Sequence, residues 1–176
     1  MKFPQKFLLP AALMALLGVA GSATATDTLL VTATVSAACV VGTSPVAFGA
    51  YNPIGGAAAS GSGNVNVSCT GTVGLFVDYS ISLGKGAYGA TYNDRQMANG
   101  ASRLTYQLYG DSGSGGACSV VWGDGTGATS TVGGSLLIVL LGSTINRQVC
   151  GTLPANQVGA TPGGYSDTVQ VVVTYN

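Results

Sequence analysis

Turn-forming residues recur along the whole chain and limit what it can fold into. The 176 residues include 28 glycines, many of them next to asparagine, aspartate, proline or another glycine. Groups of turn-forming residues stand at 52–53, 55–56, 61–63, 99–100, 113–116, 124–125, 133–134 and 162–164. A long helix does not fit between them, because glycine and proline interrupt helices. The turn pattern therefore argues against helical and α/β folds.

The segments between these turns are short and rich in valine, threonine, tyrosine and isoleucine. Several alternate between apolar and polar residues, most clearly at 64–69 and 103–109. Alternation with period two is typical of strands, and strands without intervening helices favour an antiparallel sandwich. The six apolar residues at 136–141 predict a strand buried on both faces. The sequence thus predicts an all-β fold.

Two segments alternate more strongly than the rest. In the first, every odd position from Leu29 to Val41 is apolar, and threonine or serine fills positions 32, 34 and 36. In the second, at 168–175, the alternating apolar residues are Val169, Val171, Val173 and Tyr175. Pairing within the chain's own sheets would explain both segments. For the first, the alternative is that its apolar face belongs in a neighbouring molecule.

The first 25 residues have the pattern of a secretory signal peptide. Lys2 and Lys6 precede the apolar run 7–19, and Ala23 and Ala25 fit an A-x-A cleavage site. The run is shorter than the roughly 20 residues that a membrane-spanning helix needs. We therefore expect cleavage after Ala25, so that the exported chain begins at Thr26.

Export would bring the four cysteines into an oxidising compartment, where disulfides persist. These cysteines are Cys39, Cys69, Cys118 and Cys150. Four cysteines allow three sets of pairings, among which spacing does not decide. With no C-x-x-C pair and no histidine, the sequence does not favour a zinc site. No metal or other cofactor is expected.

Groups that could carry out catalysis are scarce. Charged residues make up 7% of the chain, and there is no histidine. Acid–base and nucleophilic enzymes need a titrating base or an activated nucleophile. Most of the aspartates lie beside turns, where a short carboxylate bonds to its own backbone. The sequence therefore does not predict an enzyme, and the lack of basic excess argues against a nucleic-acid partner.

Short motifs follow one another along nearly the whole exported chain. They are VTATV (31–35) with Cys39, FGAY (48–51), VSCT (67–70), ISLG (81–84), RQM (95–97), LTYQLY (104–109) with Asp111, VWGDGT (121–126), PANQ (154–157), YSDTV (165–169) and VTY (173–175). Each is weak alone, but their order is specific. Together they resemble the spore coat protein U domain family, which includes the major pilin of archaic, Csu-type chaperone-usher pili.

This resemblance implies an incomplete immunoglobulin-like antiparallel sandwich that is completed by a donor strand. In family pilins a groove stands in place of the final strand, and a periplasmic chaperone fills it before the next subunit does. The signal peptide would be 1–25, the donor segment 26–36 and the pilin domain 37–176. Groove-facing donor residues would be Leu29, Val31, Ala33 and Val35, and the strand flanking the groove would carry Val169, Val171, Val173 and Tyr175.

The family's disulfide carries over to Cys39 and Cys69. In relatives, the position that corresponds to Cys150 usually carries an aromatic residue. We infer a second disulfide between Cys118 and Cys150. The resemblance implies a structural pilin that polymerises with itself at an outer-membrane usher and forms a surface pilus for adhesion and biofilm formation. A spore or cyst coat protein and a secreted monomeric binding module are the alternatives.

Overall fold

The computed structural model describes residues 30–33, 37–111, 117–139 and 142–176. The expected signal peptide at 1–25 lies outside these residues, as do Leu29, Val35 and most of the expected donor segment 26–36. The chain divides into two compact units, Met1–Ala33 and Thr34–Asn176. All of the strands described below belong to the second unit.

Strands account for all of the regular secondary structure in the described residues, and no helix occurs among them. The strands are β1 (Ala37–Ser44), β2 (Ala59–Gly71), β3 (Phe76–Leu83), β4 (Arg95–Asn99), β5 (Ser102–Gly110), β6 (Val120–Val121), β7 (Val132–Leu137), β8 (Ser143–Leu153) and β9 (Val171–Tyr175). The same residues contain no helix that could span a membrane. The prediction of an all-β fold is confirmed.

The strands form two antiparallel sheets. The larger sheet has the order β1–β2–β8–β5–β4, with β6 also paired to β5, and the smaller sheet has the order β7–β3–β9. The longest pairing joins β2 to β8, from Ala59 opposite Leu153 to Cys69 opposite Ser143. Strand β1 is therefore an edge of the larger sheet, and β9 is an edge of the smaller one.

The core lies between the two sheets because each contributes an alternating row of apolar side chains. In β3 the inward row is fully buried while the residues between are partly or fully exposed. Burial of one such side chain contributes about 1.5–3 kcal/mol. The strand residues of this core are Val65, Val67, Cys69, Val77, Tyr79, Ile81, Leu83, Leu104, Tyr106, Leu108, Val132, Val149 and Leu153.

Two of the expected turns lie inside strands instead. Gly61 and Gly63 belong to β2, and the pair 133–134 belongs to β7. A Cβ atom at Gly63 would lie 2.6 Å from the carbonyl oxygen of Ser44, and one at Gly133 would lie 2.6 Å from that of Tyr79. These glycines allow neighbouring backbone to approach closely, a role that the sequence pattern does not distinguish from a turn.

The prediction of a doubly buried strand at 136–141 is wrong for the residues that the structure describes. Strand β7 ends at Leu137, which is exposed, and Val139 beyond it is also exposed. Only alternate side chains of this run meet the core, because the sheet that contains β7 packs on the core with one face. The alternating segment at 168–175 is also shorter as a strand, since β9 begins at Val171. In the first alternating segment, the described residues 30–33 lie outside any strand.

A buried arginine links the two sheets just beyond the ends of β3 and β6. Arg95 is 0% exposed, and its Nε and Nη2 atoms donate to the carbonyl oxygen of Gly84 over 3.0 and 2.8 Å. Nη2 also donates to the carbonyl of Trp122 over 2.6 Å, and Nη1 donates to the Gln107 side chain over 2.8 Å. Burial lowers the pKa of the guanidinium group, while nearby Tyr106 partly opposes that shift. The arginine thus ties β5 to the segments that follow β3 and β6.

We expect Arg95→Ala to lower the free energy of unfolding by about 3–5 kcal/mol, because it leaves buried carbonyl groups without donors. Denaturant unfolding of the full chain, followed by tryptophan fluorescence, measures this change. Arg103→Ala is the matched control, since Arg103 is exposed and its removal is expected to change stability by less than about 1 kcal/mol. Equal losses for the two variants would contradict this role for Arg95.

Candidate docking groove

A groove opens where the edge of the larger sheet faces the edge of the smaller one. Its cavity has a volume of about 440 Å³. Thr43 and Ser44 of β1 line one side, and Val169 and Val171 line the other. Buried core residues form the floor, namely Val65, Leu83, Tyr106, Leu108 and Val149. We call this space the docking groove.

The core is incompletely covered along the docking groove. The inward side chains of β9 and of the residues leading into it, Val169, Val171 and Val173, pack on the core yet are only half-buried. On the opposite side, Val41 and Thr43 stand beside the buried Val67 and Val65 of β2 but are themselves exposed. Apolar surface that a complete sandwich would bury is therefore open along this line.

The backbone of β9 is unpaired on the groove side. The amide of Gly84 donates to the carbonyl of Gln170 over 2.8 Å, and the backbone amide of Asn176 donates to the backbone carbonyl of Asp78 over 3.2 Å. In an antiparallel pair, residues alternate between bonding to the partner strand and facing away from it. Even-numbered residues of β9 therefore bond to β3, and Val171, Val173 and Tyr175 turn their N–H and C=O groups toward the open edge.

Hydrogen bonds hold the groove wall in place just before β9. Ser166 and Ala98 exchange two backbone hydrogen bonds, of 3.0 and 3.1 Å. The Tyr106 hydroxyl donates to Asp167 over 2.6 Å, and the Ala87 amide donates to the same carboxylate over 2.9 Å. Burial, and then the hydrogen bond to Asp167, raise the pKa of Tyr106. These hydrogen bonds hold Ser166 and Asp167 in place although the groove beside them is open.

A second cavity, of about 940 Å³, adjoins the first. Val46, Phe48, Met97 and Tyr165 line both cavities, so the two cavities lie side by side. Phe48 packs its edge on Tyr106, with 6.2 Å between the ring centres. The floor continues over Leu104 and Leu153. The apolar lining therefore extends beyond β9.

The residues of the expected donor segment are described only in part. Val31 and Ala33 are exposed, Val31 to 81%, and Leu30 between Leu29 and Val31 is 85% exposed. Leu29 and Val35 lie outside the described residues. The donor role of this segment stays a prediction.

Both disulfides inferred above are present. Cys39 and Cys69 are direct partners in the β1–β2 pairing, and their disulfide joins these strands on the core side. Cys118 is joined to Cys150, on the outer face of β8. The first disulfide stabilises β1, which forms one side of the docking groove. In the described part of the chain no cluster of three or more histidine, cysteine or acidic residues is suited to a metal ion.

Sequence reasoning did not assign the groove floor. The alternation at 103–109 predicts the strand that carries Leu104, Tyr106 and Leu108, but nothing local marks these residues as the floor of an open site. Phe48 and Met97 come from separate segments that only the fold brings together. The available signal was their presence in the FGAY and RQM motifs.

Known proteins are similar in sequence to this chain over most of its length. The model of the Spore Coat Protein U domain matches residues 25–172. "Protein U" of Myxococcus xanthus is 34% identical over 172 residues, covering 89% of this chain and 88% of that protein. The resemblance drawn from the motifs is therefore confirmed.

Among solved structures, a chain from the CsuC–CsuE chaperone–tip adhesion subunit pre-assembly complex of the archaic chaperone-usher Csu pili of Acinetobacter baumannii is similar. It is 22% identical with a TM-score of 0.46, and the match covers 78% of this chain but 39% of that one. The family assignment rests on the sequence matches alone. Since the family model matches most of its residues, this chain belongs to the Spore Coat Protein U domain family.

Proposed function

We propose that this chain is an exported structural subunit that polymerises through donor strands, with residues 26–36 of one copy inserted into the docking groove of the next. The observation that carries the proposal is the open groove, which combines an unpaired β9 edge with half-buried apolar side chains. One added strand with alternating apolar residues would pair the edge and cover the core together.

The N-terminal segment has the right pattern for such a strand. Positions 29, 31, 33 and 35 are apolar, and so are positions 169, 171, 173 and 175 in and just before β9. Each set spans about 20 Å at 3.3 Å per residue. Val31 is strongly exposed within its own chain, so insertion into a neighbour would remove apolar surface from water.

An open groove also implies partners before assembly. Unpaired strand edges beside apolar surface promote aggregation, so the unassembled subunit needs a temporary cover. We assign that role to a periplasmic chaperone, and we assign strand exchange to an outer-membrane usher. The polymer would then reach the cell surface as a pilus that serves adhesion and biofilm formation. The signal-like segment 1–25 and the two disulfides support this exported route.

The family name favours a second arrangement of the same polymer. A coat around spores or cysts would use the same subunit contact, and the relative from Myxococcus xanthus is named "Protein U". Immunogold labelling of producing cells separates the two arrangements. Thin surface filaments support the pilus, and a continuous layer around resting cells supports the coat.

Polymerisation itself is tested on material extracted from the cell surface. We expect unheated samples in SDS electrophoresis to give a ladder at whole multiples of the subunit mass, because completed sandwiches resist the detergent. Boiling should reduce the ladder to the single subunit. If the wild-type protein runs as a monomer in unheated samples and in gel filtration, the polymer proposal fails and the secreted binding module is favoured.

A further inference from the structure

The outer face of the larger sheet carries no charge across three adjacent strands. The outward side chains of β1, β2 and β8 alternate with the core-facing ones, and all of those described are neutral. They are Ala38, Val40, Gly42, Ser44, Ser60, Ser62, Asn64, Asn66, Ser68, Thr70, Thr144, Asn146, Gln148, Cys150 and Thr152. We call this surface the lateral face.

This neutrality differs from ordinary protein surfaces, on which charged residues make up a quarter to a third of positions. Charges interspersed over a surface keep identical molecules apart, since each copy repels its own kind. In the described part of the chain, the charged side chains lie elsewhere: on the core side, on the outer face of the smaller sheet, on the outer end of β5, or in loops. Two copies that met through the lateral face would bring no like charges together.

The lateral face also has chemistry that is complementary to itself. Asn66 stands opposite Asn146 across the β2–β8 pairing, and Asn64 stands opposite Gln148. An amide both donates and accepts hydrogen bonds, so an amide row matches a second copy of the same row. Among the described residues, the side chains of Asn66, Asn146 and Gln148 have no hydrogen-bond partner. Beside them Val40 is 69% exposed and offers an apolar contact.

The size of the lateral face indicates how strongly it would bind. Three strands about 4.8 Å apart and about 11 residues long cover roughly 500 Å². A face-to-face pair of copies would then bury about 1,000 Å² in total, the lower limit for a specific protein contact. A single such contact is weak, but contacts repeated along two fibres add through effective concentration.

We propose that the lateral face is a second contact between copies of this chain, which associates neighbouring polymers side by side. The contact is isologous, so each copy presents the same patch to the other. The strengthening of this contact by repetition along fibres rests on the proposed function, whereas the contact between two single copies does not. Side-by-side association would turn separate filaments into bundles or sheets.

Charge reversal tests this contact directly. We expect Ser62→Asp/Asn146→Asp to lose low-speed pelleting of fibres, because every lateral contact would then hold four carboxylates. Both positions are exposed and are not cross-strand neighbours, so the fold and the SDS-resistant ladder should remain. Asn93→Asp/Thr131→Asp adds the same two charges on exposed loops and should pellet like the wild type. A mixture of the Asp variant with Ser62→Lys/Asn146→Lys should pellet again.

Several results would overturn the lateral contact. Wild-type fibres that stay single in electron micrographs would do so, as would an Asp variant that bundles like the wild type. Pelleting that occurs only after cell-surface polysaccharide is added would mean that the lateral face binds a glycan and not a second copy. If no wild-type ladder forms, the polymer proposal fails, but the contact between two single copies can still be tested. It predicts that the wild-type protein dimerises with rising concentration in sedimentation and that the Asp variant alone loses this dimer.

Discussion

A Val31→Asp variant is expected to fold and to bind its chaperone, yet to form no polymer. In the proposed fibre Val31 lies in the apolar groove of the next subunit, where aspartate would be an unpaired buried carboxylate. Such a group costs several kcal/mol at each subunit contact. Unheated electrophoresis should therefore show monomer only, and the variant should accumulate in the periplasm.

Thr32→Asp is the matched control for this experiment. It introduces the same charge one residue further on, where the side chain of an inserted strand would point away from the groove. Thr32 is exposed like Val31, so any general effect of charge in this segment is shared. We expect Thr32→Asp to form the normal ladder. Loss of folding in Val31→Asp, with a stable wild-type monomer, would mean that this segment belongs to its own domain.

Adding a second copy of residues 26–36 after Asn176 is expected to stop polymerisation by the opposite route. A short Asn-Gly turn would let the added strand fold back antiparallel to β9 and fill the chain's own groove. The fusion should be monomeric without chaperone. A net gain of about 4 kcal/mol from the covered core would raise Tm by roughly 8–16 °C.

The same fusion with aspartate at the added valine that corresponds to Val31 is its control. That variant keeps the chain length, the turn and the remaining donor residues. It should show no increase in Tm, because the added strand can no longer enter the groove. If both fusions gain equal stability, the added segment acts outside the groove and the donor interpretation is wrong.

The sequence predicts the strands well where burial is one-sided. The alternation at 64–69 lies in β2 and that at 103–109 lies in β5, because each strand has one face on the core. It fails at 61–63 and 133–134, where glycine permits close backbone approach within a strand. A local pattern carries no information about which neighbour passes over it, so turn and strand glycines look alike.

The groove lies beyond what local pattern can predict, for a related reason. Its walls come from β1 and from the segment leading into β9, which are far apart in the chain and not hydrogen-bonded to each other. Only the resemblance to a family suggested that the edges remain apart. The burial of Arg95 is equally hard to predict, since an arginine between two polar residues is normally exposed to solvent. Its burial depends on carbonyl groups of Gly84 and Trp122 that the fold brings to it.

The central claim is that the N-terminal segment of one copy occupies the docking groove of another, and photo-crosslinking from position 31 tests it most directly. A photoreactive leucine analogue at this position stays close to valine in size. Fibres assembled from mixed ¹⁴N- and ¹⁵N-labelled subunits reveal by mass spectrometry whether a linked pair comes from two copies. The account predicts mixed-isotope links from position 31 to residues 43–48 or 169–175. Links confined to single copies, or to residues away from the docking groove, would contradict it.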